Sequence, residues 1–221
     1  ADIIVLPNGA DTDSSETLFT GTPQTIYMSK DIESKLQDID GVEKTTSQFF
    51  TTTIEGASCC VSGKALRLVG IDLQSDFILK PWFDESGVDS LSNDEIIIGN
   101  NILMMPGNSS FLLGDLFKVV GTLYPTGSGM DDTIFLNIDK ARLLSEQKFS
   151  DELWNNSTPK DLISSVLIKT SPDVDVKIVV DKINNANLSC IATSTADSIS
   201  NIKEEMFAIS KVILLLWIAL L

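Results

Sequence analysis

A chain of 221 residues, 43% hydrophobic and 21% charged, is long enough for one large domain or two small lobes, and its composition excludes disorder over most of its length. Its net charge of −15, with Arg67 and Arg142 as its two arginines, excludes the basic footprint of a nucleic-acid binder and repels anionic headgroups, so membrane attachment has to come from apolar insertion. The absence of histidine removes the commonest base near neutral pH and the commonest ligand of catalytic zinc, which disfavours catalysis and leaves carboxylate, lysine or cysteine chemistry as the open routes.

The chain opens on Ile3, Ile4, Val5 and Leu6, a β-branched run stopped by Pro7, Asn8 and Gly9: a strand and a turn. Ala10 to Gln24 is rich in Ser, Thr, Asp and Gly and reads as an exposed loop. Within it Asp11, Asp13 and Glu16 are spaced like the start of a calcium loop, but the glycine at the sixth position is missing and Thr22 stands where a bidentate glutamate belongs, so a solvated acidic loop is the better reading. Ser29 can cap a helix running to Asp40, with Ile32, Leu36 and Ile39 on one stripe and Gly41 as the stop. Glu43 to Ile54, full of Thr and Phe, reads as a strand.

The next segment carries the adjacent Cys59 and Cys60. Outside the cytoplasm one of them can bridge Cys190, or the two can join each other; the alternative is three partly buried thiols packing as small apolar groups. No CxxC spacing accompanies them, so a metal site is not expected. Gly63 and Lys64 come nearest to a phosphate loop, but Ser58 occupies its first glycine position and Ala65 its hydroxyl position.

From Val61 to Pro159 short apolar segments alternate with turn residues. Ala65–Ile71, Glu95–Ile98, Leu116–Leu123 and Thr133–Asn137 read as strands of a mainly β lobe, followed by a short helix over Asp139–Gln147. The acidic stretch Asp84 to Asp94 reads as a solvated connection. Phe111, Leu112 and Leu113, ahead of the Gly114 turn, form an apolar cluster that can serve a lobe or dimer contact. Asp131 and Asp132, near Gly127 and Gly129, form a turn more simply than a cation site, and Gly127 and Gly129 lack the third glycine of a dinucleotide fingerprint. Trp82, Phe83 and Trp154 read as core aromatics, with presentation to a partner as the alternative.

Ser165–Thr170 alternates as a strand, Pro172 and Asp173 open a helix carrying Val176, Val179, Val180 and Ile183, and Leu188–Thr193 forms a further strand. This repeats the strand, helix, strand order of the first unit, so the two can pair into one α/β sandwich lobe. After Lys211 comes an unbroken apolar run, Val212 to Leu221. A spanning helix needs roughly 20 such residues, so the run covers about half a bilayer and reads as the start of a transmembrane segment. A buried core helix is the alternative, disfavoured because the run has no polar face.

One pattern goes beyond local readings. Gly114-Asp115-Leu116-Phe117-Lys118-Val119-Val120-Gly121-Thr122-Leu123, the turn through Asp132, then Ile134 to Ile138 and Lys140 to Leu144, resembles the periplasmic or extracellular core domain of MacB/FtsX-type ABC transporter permeases. Asp2 to Pro7, and Gly70, Ile71, Asp72, Asp76, Phe77, Pro81 and Trp82, fit the same group. The resemblance implies an α+β fold in which residues 1–60 and 160–200 form a discontinuous α/β sandwich lobe of two β-α-β units, residues 61–159 form an inserted mainly β lobe, and residues 201–221 lead into the membrane. It further implies an extracytoplasmic domain at the cell membrane that is not an enzyme, has no catalytic residue and binds no cofactor or metal. Its implied partners are a cytoplasmic ABC ATPase acting through the whole permease and a second permease copy. Two rival readings stand beside export: an FtsX-like regulatory domain that binds an outer protein partner such as a cell-wall enzyme, and a membrane-anchored hydrolase using two carboxylates.

Overall fold

The computed structural model describes residues 1–10, 24–53, 66–83, 88–103, 108–149, 154, 157–200, 207, 209–211, 213 and 217. The fold is mixed α+β, organised on one large sheet with helices packed against it. In chain order the strands are β1 (Ile3–Pro7), β2 (Met28–Ser29), β3 (Val42–Thr52), β4 (Arg67–Ile71), β5 (Glu95–Ile98), β6 (Ser109–Leu112), β7 (Asp115–Thr122), β8 (Thr133–Asn137), β9 (Leu162–Ile163), β10 (Ser165–Thr170) and β11 (Cys190–Ser194). The helices are α1 (Asp31–Gln37), α2 (Ile138–Lys148) and α3 (Val176–Asn185).

Among the described residues nine strands form the main sheet, in the order β11-β1-β10-β3-β4-β8-β5-β7-β6; β2 and β9 pair separately. β4 runs parallel to β8 and β5 parallel to β7, and the other ladders are antiparallel. At one end, β1-α1-β3 and β10-α3-β11 interlock: β10 lies between β1 and β3, and β1 lies between β10 and β11. Each helix connects two strands that run the same way across an intervening partner. The two crossovers lay their apolar stripes on one face, where Ile32 and Leu36 of α1 and Val179 and Ile183 of α3 pack with Ile3, Val5, Val166 and Ile168.

β3 joins the two ends of the sheet. Its first half pairs with β10, from Val42↔Thr170 to Gln48↔Ser165, and its second half pairs with β4, from Gln48↔Ile71 to Thr52↔Arg67. Gln48 therefore stands where β3 changes partners. The continuous apolar character of β1 and β4 follows from this central placement, since both are buried along their whole length.

α2 lies on the same face as α1 and α3, over β3 and β4. Phe49, Leu68, Ile134 and Leu136 from the sheet and Ile138, Ala141 and Leu144 from the helix share one core. The approach is close because Gly70 has no side chain: a Cβ there would stand 2.6 Å from the Cβ of Ala141 and 3.0 Å from the Cα of Ile138. Ser145 Oγ and Thr51 Oγ1, 2.7 Å apart and buried, tie the helix to β3. None of α1, α2 and α3 packs on the opposite face. Phe50, Val69, Ile71, Ile97 and Phe135 on that side are covered by Leu73, Leu79, Phe83 and Met130 from the connecting segments.

Where element boundaries differ from those expected from the sequence, three differences have a visible cause. α1 begins at Asp31 and ends at Gln37, shorter than Ser29 to Asp40: Ser29 is taken into β2, where its Oγ accepts from the N–H of Asp31 at 3.3 Å, and Gly41 turns the chain at φ 100°. α3 begins at Val176 and not at Pro172. Asp175 caps it, its carboxylate accepting from Lys177 N–H at 2.9 Å, while Val174 N–H bonds Ser171 C=O in the preceding turn. The last strand begins at Cys190 because Asn187 and Ser189 hold left-handed backbone, φ 54° and 56°.

Candidate functional surfaces

The β6–β7 hairpin forms one edge of the sheet. Phe111 and Leu116 face each other across it, and both are 55% exposed. Their neighbours turn the other way: Leu112 is fully buried and Leu113 nearly so, within the core beneath α2. The reversal is local. Leu113 and Gly114 both have positive φ, 52° and 92°, and this turn carries Leu113 back inward. Of the three apolar residues singled out in sequence, Phe111 alone is presented to solvent. A charge at Leu112 therefore tests folding and not association. Leu116, which the sequence reading treated as a strand residue, completes the pair. Its signal was the period-two alternation with the buried Phe117.

The acidic candidates are structural. Asp131 is buried and accepts from Thr126 N–H at 2.9 Å, Thr126 Oγ1 at 2.8 Å and Gly127 N–H at 2.8 Å. Burial pushes this carboxyl up, but the donors of Thr126, Gly127 and Ser128 outweigh it and hold it below the usual carboxylate range. Asp132 accepts from Asn101 Nδ2 at 3.2 Å. Gly99 sits against this turn, where a Cβ would stand 2.2 Å from Met130 C=O and 2.3 Å from Asp131 C=O. The pair thus builds the 126–132 turn. Asp76, also buried, accepts from the N–H groups of Ile78 and Leu79 at 2.8 and 2.7 Å and pins the segment that covers the face opposite α1–α3. Burial pushes this carboxyl up, against the two N–H donors and Lys80.

The aromatic candidates divide. Phe83 and Trp154 are buried, and Trp154 packs 5.1 Å from the ring of Tyr27, whose hydroxyl donates to Phe50 C=O at 2.9 Å. Trp82 is 36% exposed. Cys190 is a free, buried thiol, pushed up by burial. Cys59, Cys60, the calcium-like Asp11, Asp13 and Glu16, and the Gly63-Lys64 pair lie outside the described residues, as do residues 84–87 of the acidic connection.

A third surface lies beyond β11. Residues 195–200 are helical, and so are Phe207, Ile209, Ser210, Lys211, Ile213 and Trp217. Ile209, Ile213 and Trp217 follow at four-residue spacing and are exposed, making one apolar stripe turned to solvent. No helix among the described residues is long and apolar enough to cross a membrane. Thr195 N–H donates to Asp2 C=O at 2.9 Å, so the helical segment 195–200 begins beside the start of β1.

No family model matches the chain, and no curated protein matches it. Solved structures do. The periplasmic region of MacB from Actinobacillus actinomycetemcomitans superposes with a TM-score of 0.55 at 14% identity, over 92% of this chain and 93% of that one. The extracellular domain of the noncanonic ABC-type transporter YknZ from Gram-positive bacteria superposes with a TM-score of 0.51 at 13% identity, over 87% of this chain and all of the other. At such identities the likeness is one of fold. It agrees with the architecture that the Gly114–Leu123 pattern implied.

Proposed function

We propose that this chain is the extracytoplasmic domain of an ABC transporter permease, coupling ATP hydrolysis on the cytoplasmic side to export or to mechanical signalling across the membrane. The observation that carries the reading is the near-complete coverage of the MacB periplasmic region by this fold. The adjacency of Asp2 and Thr195 supports it, because a strand start and a helix start held side by side suit a domain standing on two neighbouring membrane helices. The apolar stripe Ile209-Ile213-Trp217 suits the same base, facing lipid. In this reading the lobe of residues 1–60 and 160–200 stands nearest the bilayer, and the inserted lobe of residues 61–159 extends outward through the shared strand β3. The permease works as a dimer, and the domain itself holds no nucleotide.

An FtsX-like regulatory role is the second reading, favoured by the exposed Phe111–Leu116 pair on a sheet edge, a surface suited to an outer protein partner. The carboxylate-hydrolase reading has less support: Asp131 is spent on its turn, and Oδ1 of Asp76 on two backbone donors.

The test is affinity purification of the whole protein from native membranes in mild detergent. The expected result is co-purification of a nucleotide-hydrolysing ATPase. Recovery of a stable outer protein without an ATPase would transfer the role to the second reading.

A further inference from the structure

β11 closes the sheet at the end opposite the β6–β7 hairpin and, among the described residues, pairs on one side only, with β1. Ser189 C=O accepts from Asn8 N–H at 3.1 Å and Thr195 N–H donates to Asp2 C=O at 2.9 Å, so the odd-numbered residues of this segment bond across to β1. By the alternation of an antiparallel ladder, the backbone groups of Cys190, Ala192 and Ser194 point away from the sheet. Such an edge is open to a further strand unless something guards it. Three common guards are absent from β11: Cys190-Ile191-Ala192-Thr193-Ser194 includes no charged side chain and no proline, and its register with β1 runs without a bulge from Pro7↔Cys190 to Ile3↔Ser194. The middle of the strand is closed instead by one side chain. Asn184, in the last turn of α3, accepts from Ala192 N–H through Oδ1 at 2.8 Å and donates from Nδ2 to Ala192 C=O at 3.1 Å. Its amide thereby supplies the donor and acceptor that a neighbouring strand would supply. Ser198 Oγ donates to Ser194 C=O at 3.2 Å and holds the far end.

This edge is complementary to itself. Turned antiparallel about Ala192, two copies of β11 set Ala192 opposite Ala192, which exchange both of their hydrogen bonds, and Cys190 opposite Ser194 on either side. On the face that carries α3 the meeting side chains are small and buried, Cys190, Ala192 and Ser194. On the other face the exposed Ile191 meets Thr193, a cross-strand pair of β-branched residues. The strand brings no charge to this seam, although the chain carries −15 overall. We propose that β11 is a latent strand-addition edge, latched by Asn184, and that the partner it fits once the latch is open is β11 of a second copy of this chain. The edge and its latch belong to the fold alone, so the inference stands apart from the transport reading.

The test is sedimentation velocity over a concentration series, with Ile213→Asp and Trp217→Asp in every chain so that the exposed stripe of Ile209, Ile213 and Trp217 does not hold copies together. Asn184→Ala is expected to raise the self-association constant at least about tenfold over this parent, because it frees two backbone groups for pairing between copies. Asn185→Ala, the next residue along α3, is expected to match the parent. Adding Ile191→Lys to Asn184→Ala is expected to return the constant to the parent value, since two lysines then meet across the seam. If Asn184→Ala does not fold, hydrogen exchange on the unaltered chain decides: the Ala192 amide is expected to be protected although it points off the edge of the sheet. A folded Asn184→Ala that associates no more than its parent, equal association of Asn185→Ala, failure of Ile191→Lys to reverse the effect, or an unprotected Ala192 amide would each overturn the proposal.

Discussion

Replacing Ile213 and Trp217 together by aspartate is expected to shift the protein from vesicle-bound to free by about four orders of magnitude in partition coefficient. Both side chains are exposed and helical, one turn apart on the same stripe. An aspartate costs roughly 3 kcal/mol at the centre of a lipid-embedded helix, so two cost about 6 kcal/mol, and each tenfold change in partition corresponds to about 1.4 kcal/mol. The net charge of −15 gives no electrostatic route to compensate. Binding of the unaltered protein is therefore expected to weaken, not strengthen, as anionic lipid is added. Flotation with zwitterionic vesicles, alone and with increasing anionic lipid, reads both effects. A double variant that floats like the unaltered protein would remove the apolar base from the account.

The second large effect concerns the core that holds the two ends of the sheet together. Phe49, on the shared strand β3, is fully buried, stacks on Tyr27 at 5.2 Å between ring centroids, and has the Arg142 guanidinium 5.9 Å from its ring. Phe49→Ala removes the ring, and the gap cannot collapse readily because β3 is paired with β4 at this point and covered by α2. The expected cost is about 4 kcal/mol, or about 12 °C in the melting midpoint for a chain of this length. Phe111→Ala, by contrast, trims an exposed ring at the sheet edge and is expected to stay within about 0.5 kcal/mol of the unaltered protein. Thermal denaturation followed by circular dichroism compares the two directly. Similar midpoints for both variants would contradict the assignment of Phe49 to the central core.

Much of this architecture was legible in the sequence because the signals were local. Glu95–Ile98, Thr133–Asn137 and Ser165–Thr170 were read with the bounds they have in the structure, each a short β-rich run between turn residues. The start of α3 was missed because Pro172 and Asp173 carry the composition of a helix start, whereas the decision falls to the Asp175 carboxylate that reaches Lys177 N–H. The two-residue strands β2 and β9 have no periodicity to read; they exist through tertiary pairing, Met28↔Ile163 and Ser29↔Leu162. Surface and site were harder. The inward turn of Leu113 depends on positive φ at Leu113 and Gly114 together, and the apolar triplet at 111–113 gave no sign of it. The family resemblance, by contrast, rested on the order of several segments, and order survives when identity falls to 14%.

Labelling in intact cells decides whether this module stands outside the cytoplasm. In the whole protein, Cys59 and Cys60 are replaced by serine and Asn185, exposed at the end of α3, by cysteine. Cys190 stays silent, since its thiol is buried and pushed up. A membrane-impermeant maleimide is expected to modify the cysteine at 185 without permeabilisation of the cytoplasmic membrane. Modification that begins only once that membrane is opened would put the module on the cytoplasmic side and contradict the account.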